Sequence, residues 1–224
     1  MSITRIQHGK VSLALHTLRG AATPGGSAGR SLLLLHGLGE RSPKQLPAEL
    51  ADWPGPVHAL DFTGHGESTL PGGGGYTAEI LMGDADAALA YLGSATIWGR
   101  GLGAYIALLV AGGRPAEVRG AVLGDGPGLA GGNPDARPTG IALPAPAAAA
   151  PPPDPYAVVE LSRDVRPPDY ATMFAGQALR LSGLAEPIAV CAADRPSWLE
   201  AVIGERGVQV RTLEAALATF ARVQ

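Results

Sequence analysis

The segment Trp98-Gly99-Arg100-Gly101-Leu102-Gly103-Ala104-Tyr105 is where this chain is best placed to do chemistry. It follows the apolar run 95–97 and opens a helix-like stretch over 102–111, so it reads as a strand, a tight turn and a helix. Serine and cysteine are the common nucleophilic side chains, and the turn holds neither. Residue 101 is glycine, which gives the turn its freedom and supplies no attacking atom. The glycine spacing also suits a phosphate-cradling loop, but Ala104 stands where the third glycine belongs and no acidic partner is well placed about 20 residues on. A proton carrier is missing as well. All five histidines lie at or before His65, and no other side chain ordinarily takes and returns a proton near neutral pH. The one cysteine, Cys191, directly follows the apolar run 188–190 and is expected in the core.

Bulk properties narrow the classes further. A net charge of −3, with Lys10 and Lys44 the only lysines, leaves no electrostatic footprint for a nucleic-acid backbone or an anionic membrane surface. The N-terminal residues lack a basic start followed by a long apolar segment, and no run approaches the ~18 apolar residues of a membrane span. These features predict a soluble, cytoplasmic protein that binds neither nucleic acid nor membrane. A chain of 224 residues suits one domain, 1–224, with room for a modest insertion. No metal or cofactor is called for.

The elements that must position the turn are legible from periodicity. Residues 3–7 and 11–18 alternate apolar with polar around His8-Gly9-Lys10, the pattern of an antiparallel hairpin at a sheet edge. The runs 31–35, 57–60, 95–98, 120–123 and 188–191 are short and largely apolar, as parallel strands covered on both faces require. Thr77 can cap a helix through Ile80, Leu81, Ala85, Leu89 and Leu92 that ends at Gly93. Ser42-Pro43 is expected to open an earlier helix toward Leu50. Alternating strands and helices predict an α/β architecture with a doubly wound, mostly parallel sheet. The stretch 126–183 breaks this rhythm. Its residues 144–155 are nearly all alanine and proline and are expected to be extended or mobile, and short helices are expected around 156–161 and 169–181. We expect a core of 1–125 and 184–224 with 126–183 as a short helical cap insertion over the carboxyl edge of the sheet.

Three motifs, in order and at this spacing, resemble the α/β-hydrolase superfamily. They are Leu32-Leu33-Leu34-Leu35-His36-Gly37-Leu38-Gly39, then Asp61-Phe62-Thr63-Gly64-His65-Gly66-Glu67-Ser68, then the turn 98–105. The resemblance covers almost the whole chain. It implies an acyl-transfer site in which the residue at 101 would be a nucleophile on a strained turn, with the amides of Leu38 and Leu102 as an oxyanion hole. It also implies an acid after a late strand, with Asp194 the nearest residue, although an alignment one residue different puts Arg195 there; Asp125 is a second choice, and either aspartate can equally cap a turn. The histidine the superfamily carries after its last strand has no counterpart, because 207–213 runs almost directly into 214–220, and neither Arg211 nor Glu214 can replace it. His36, His65 and Ser68 match positions that serve the superfamily's turns structurally. The elbow also looks like that of the N-myc downstream-regulated proteins, non-enzymatic members with glycine at the same place.

The expected function is therefore a hydrolase fold that has lost acyl hydrolysis and binds a small ligand or a protein. Its pocket would be lined by His36, Gly37, Leu38, Arg100, Gly101 and Leu102 and would suit a small carboxylate or other anion. One alternative is an active ester or thioester hydrolase with an unconventional site. Another is an interaction module that docks a partner protein, or a second copy in a homodimer, through its cap.

Overall fold

The computed structural model describes residues 2–20, 29–71, 74–132 and 153–223. The edge strand β1 (Ser2–His8) and its neighbour β2 (Val11–Arg19) form the predicted hairpin, turning at Gly9 with φ 58°. The near-continuous apolar runs then become β3 (Ser31–Leu35), β4 (Val57–Asp61), β5 (Ala95–Arg100), β6 (Val118–Gly124), β7 (Ile188–Val190) and β8 (Val208–Val210). The eight strands make one sheet in the order β1-β2-β4-β3-β5-β6-β7-β8. The β1–β2 and β2–β4 pairs are antiparallel and every later pair is parallel. Burial on both faces explains why β3 reads as four consecutive leucines instead of alternating with polar residues.

Helices α1 (Ala78–Leu92), α2 (Leu102–Gly113), α3 (Pro155–Arg163), α4 (Pro168–Leu181), α5 (Ser197–Ile203) and α6 (Leu213–Ala221) cover the sheet. The predicted caps of α1 are in place: the Thr77 hydroxyl accepts from the Ile80 amide, and Gly93 closes the helix at φ 79°. Helix α2 is buried along its whole length and packs with α1, α4 and the larger apolar cluster on one face of the sheet. The other face carries α6 and a second cluster built on Leu32, Leu34, Val57 and Ala59.

Two expectations need revision. No helix opens at Ser42-Pro43; the stretch to Leu50 is irregular until a single 3-10 turn, Ala48–Leu50. Pro47 has no N–H to donate to the Pro43 carbonyl, and its ring would clash there, so a helical ladder from Ser42-Pro43 cannot continue; the Ser42 amide instead donates to the Asp61 carboxylate at 2.7 Å. Of the two helices placed in the insertion, α3 does lie toward the carboxyl edge, where Val158 approaches Gly39. By contrast, α4 packs against α2 and α5 as part of the helical layer, close enough for Phe174 to press on Gly112. Residues 133–152, which hold most of the alanine- and proline-rich run, lie outside the described residues.

Candidate functional site

Strand β5 ends at Arg100 and α2 begins at Leu102, so Gly101 alone makes the turn, with φ 57° and ψ −119°. That is a conformation an L side chain reaches only under strain of about 1–3 kcal/mol. The close approach of α2 to the sheet also depends on a missing side chain: a Cβ at Gly103 would lie 2.4 Å from the Leu35 carbonyl oxygen. The elbow geometry is therefore intact. Residue 101 places no side chain on it.

The amides of Leu38 and Leu102, the expected oxyanion donors, both donate to one acceptor, the Pro127 carbonyl oxygen, at 2.9 Å each. The chain after β6 folds down over the elbow and places a peptide oxygen between these two N–H groups. A Cβ on residue 101 would be 2.1 Å from this same oxygen and 2.5 Å from the Gly126 carbonyl carbon. Both neighbours are backbone and cannot rotate away. Gly101 is accordingly buried, although Arg100 beside it is exposed.

The covering strap, residues 126–132, is held from several directions. The buried Trp198 indole donates to the Leu129 carbonyl at 2.9 Å, and the Gly132 amide donates to the Asp164 carbonyl at 2.8 Å. The Arg166 guanidinium donates to the carbonyls of Gly128 and Leu129 and stacks 5.0 Å from the Tyr105 ring. Burial pulls the pKa of Arg166 down to about 10, so it is still a cation at neutral pH. The anion pocket expected between the two amides is thus corrected: its donors are satisfied from within the chain. Nothing in the sequence marks Pro127, because a backbone carbonyl belongs to every residue. Arg166 carries only a weak sign, an arginine directly before Pro167 and Pro168.

The carboxylates also have other duties. Both oxygens of Asp125 accept backbone amides, from Ala193 at 2.8 Å and Asp194 at 3.0 Å, which ties the end of β6 to the loop after β7. Asp194 borders a cavity of about 630 Å³ together with Arg195, Leu38 and the strap glycines Gly126 and Gly128. The strap forms a wall of this space, and Gly101 does not border it.

The five histidines pair elsewhere. His8 and His16 each meet a carboxylate at 2.8 Å, Asp84 and Asp61, and the His58 ring lies 3.4 Å from the Thr17 hydroxyl. His36 donates from Nδ1 to the Gly37 carbonyl and accepts at Nε2 from the Phe62 amide. His65 donates to the Thr63 carbonyl and accepts from the Gly39 amide. Burial holds His36 at about 4 and also lowers His65, so both are neutral spacers between loops. The Ser68 hydroxyl donates to the Asp61 carbonyl within the turn and accepts the Ala14 amide of β2. Burial, with the Asp125 charge nearby, pushes the Cys191 thiol up to about 11, which keeps it protonated and a poor nucleophile. Arg211 pairs with Glu186 and bonds the Thr219 hydroxyl, away from the elbow.

Arg100 points the other way, toward Glu40 at 3.2 Å, into a groove of about 540 Å³ beside His36. Among the described residues, no group of three or more His, Cys, Asp or Glu side chains could hold a metal, and no helix is long and apolar enough to cross a membrane.

The alpha/beta hydrolase family model matches residues 32–222. A search of curated proteins returns no match. Among solved structures, a haloalkane dehalogenase loop variant from Bradyrhizobium elkanii superposes with a TM-score of 0.65 at 16% identity, covering 98% of this chain and 95% of that one. An N-formylmaleamic acid deformylase from Pseudomonas putida S16 gives 0.63 at 16% identity over 97% and 94% of the two chains. Est1E from Butyrivibrio proteoclasticus, with ferulic acid bound, gives 0.61 at 12% identity over 97% and 96%. At these identities the likeness is one of fold.

Proposed function

The chain belongs to the alpha/beta hydrolase family, and from that premise we propose that it is a member that has lost acyl transfer and works by binding. Acyl transfer needs an attacking atom, a group that carries its proton, and donors for the oxyanion. The first is absent at Gly101. No histidine lies within the turn or the late loops to serve as the second. In hydrolases stripped of these two groups, a residual ~10³–10⁴-fold acceleration over water survives through the oxyanion hole and substrate binding. Here the third component is taken as well. The Pro127 oxygen, bonded to Leu38 and Leu102 at 2.9 Å, is the observation that carries the reading. Losing even one such donor costs ~10²–10³ in rate, so little of the residual remains to select for.

The hydrolases among the structural neighbours set the competing expectation, turnover of an ester or related substrate. A fluorophosphonate probe, with wild type and Gly101→Ser side by side, separates the two. Neither protein is expected to be labelled above a heat-inactivated sample. Gly101→Ser is also expected to be less stable by on the order of 2–4 kcal/mol in thermal or urea unfolding, since its side chain must displace the strap and hold a positive φ. Labelling of the wild type would overturn the proposal. So would a serine variant that is as stable as wild type and reactive.

A further inference from the structure

We infer that the groove beside Arg100 is a binding site for a small carboxylate with an apolar body. The inference deepens the binding reading above and rests on it, but places the ligand off the elbow. One face of the sheet is covered by α1, α2, α4 and α5; the other has α6 and the irregular residues 41–53. No helix forms between Ser42 and Pro47, and a gap remains on that second face over Leu34, Ala59 and Trp98. The gap is the groove of about 540 Å³, a volume within the range of ~300–1,000 Å³ typical of small-molecule sites. Its floor is apolar, with Leu34 from β3, Ala59 from β4 and Trp98 from β5, and Leu213 at the head of α6 forms a wall.

The charges at the mouth select the ligand's polar end. Arg100 is paired with Glu40 at 3.2 Å, but both side chains are partly exposed, 45% and 30%, and such a pair is worth about 0–1 kcal/mol. A ligand carboxylate can therefore share Arg100 with Glu40 at little cost, Glu40 staying on the Gly37 amide at 3.0 Å. Arg41 lines the same groove and, among the described residues, makes no hydrogen bond or ion pair. It also borders the adjoining cavity of about 220 Å³, where Lys44 adds a second positive charge. Of the acids lining the two cavities, Glu40 pairs with Arg100, Asp61 with His16 and Glu67 with Arg5, and Glu49 pairs with no described cation. Two unengaged cations against one anion, beside an exchangeable guanidinium, favour a carboxylate over an amine. The apolar floor favours an aromatic or branched body over a small inorganic anion.

The test is isothermal titration of the full chain with 3-phenylpropionate, 3-phenylpropan-1-ol and 3-phenylpropylamine. The carboxylate is expected to bind saturably and at least tenfold more tightly than either analogue. Arg41→Gln, an exposed position that the fold tolerates, is expected to weaken the carboxylate about tenfold. Leu213→Trp, at the half-buried wall, is expected to fill the groove and abolish binding. No binding of the carboxylate, equal binding of the alcohol or amine, or binding unchanged in both variants each overturn the inference. Ester turnover by a chain that still binds 3-phenylpropionate in the groove would sink the loss of catalysis and leave this site standing. No turnover with no binding would do the reverse.

Discussion

At the scale of single residues, His36 shows an imidazole kept for its geometry instead of its proton chemistry. Its Nδ1–H reaches the Gly37 carbonyl at 2.7 Å, and its bare Nε2 accepts the Phe62 amide at 3.2 Å, so a second ring proton would face an N–H. Burial holds the folded-state pKa at about 4 against 6.5 for the free side chain. A depressed pKa means that the unfolded chain takes up the proton first. The stabilising contribution of neutral His36 is complete above pH 6.5 and is lost as the pH falls toward 4, by roughly 3 kcal/mol in all. Urea unfolding of wild type and His36→Gln at several pH values checks this: the difference between them should shrink by about that amount from pH 7 to pH 4, and a difference independent of pH would contradict it. The absence of an oxygen at residue 101 and of any histidine beyond residue 65 is readable from residue types alone, and the structural role of His36 from the superfamily turn it matches. The Pro127 carbonyl is not. Side-chain identity says nothing about which backbone oxygen will meet which amide, and that contact decides the state of the elbow.

At the scale of elements, parallel strands announce themselves because burial on both faces forces consecutive apolar residues, as in Leu32 to Leu35. Helix α1 is equally clear, since Thr77 and Gly93 terminate it with local chemistry. The helix expected from Ser42-Pro43 is absent because Pro47, four residues beyond Pro43, has no N–H for the Pro43 carbonyl and its ring would clash with it, a signal that Ser42-Pro43 alone does not carry. The groove follows from the same failure. Helix α3 is likewise set by partners far along the chain: Glu160 accepts the amides of Gly75 and Tyr76 at 2.7 Å each, Asp164 accepts the Ala78 amide at 2.8 Å, and the Tyr76 hydroxyl donates to Asp154 at 2.7 Å. Tyr76→Phe removes the last of these from a buried site and leaves a carboxylate short of a donor, a cost of about 1–3 kcal/mol. Hydrogen exchange should then quicken in residues 154–163 while β3 and β5 keep their protection. Uniform quickening across the sheet would show that α3 is not a separable dock.

At the scale of the whole molecule, the chain has the alpha/beta hydrolase architecture, with Gly101 making the tight elbow, α2 packed close to the sheet, and the Leu38 and Leu102 amides both bonded to the Pro127 carbonyl. A fold can keep its scaffold this way because the scaffold's stability comes from the sheet and its two apolar clusters, not from the nucleophile. The strap over Gly101 is part of that scaffold: it joins β6, α2, α5 and the loop before α4 through hydrogen bonds that an open active site would have to give up. The most direct test of the central claim is the steady-state hydrolysis of p-nitrophenyl acetate and butyrate with substrate in large excess over the chain. The rate is predicted to be no higher than that of buffer containing free imidazole at the same concentration as the protein's histidines. Saturable turnover above that level, lost in Asp125→Asn or Asp194→Asn, would contradict it.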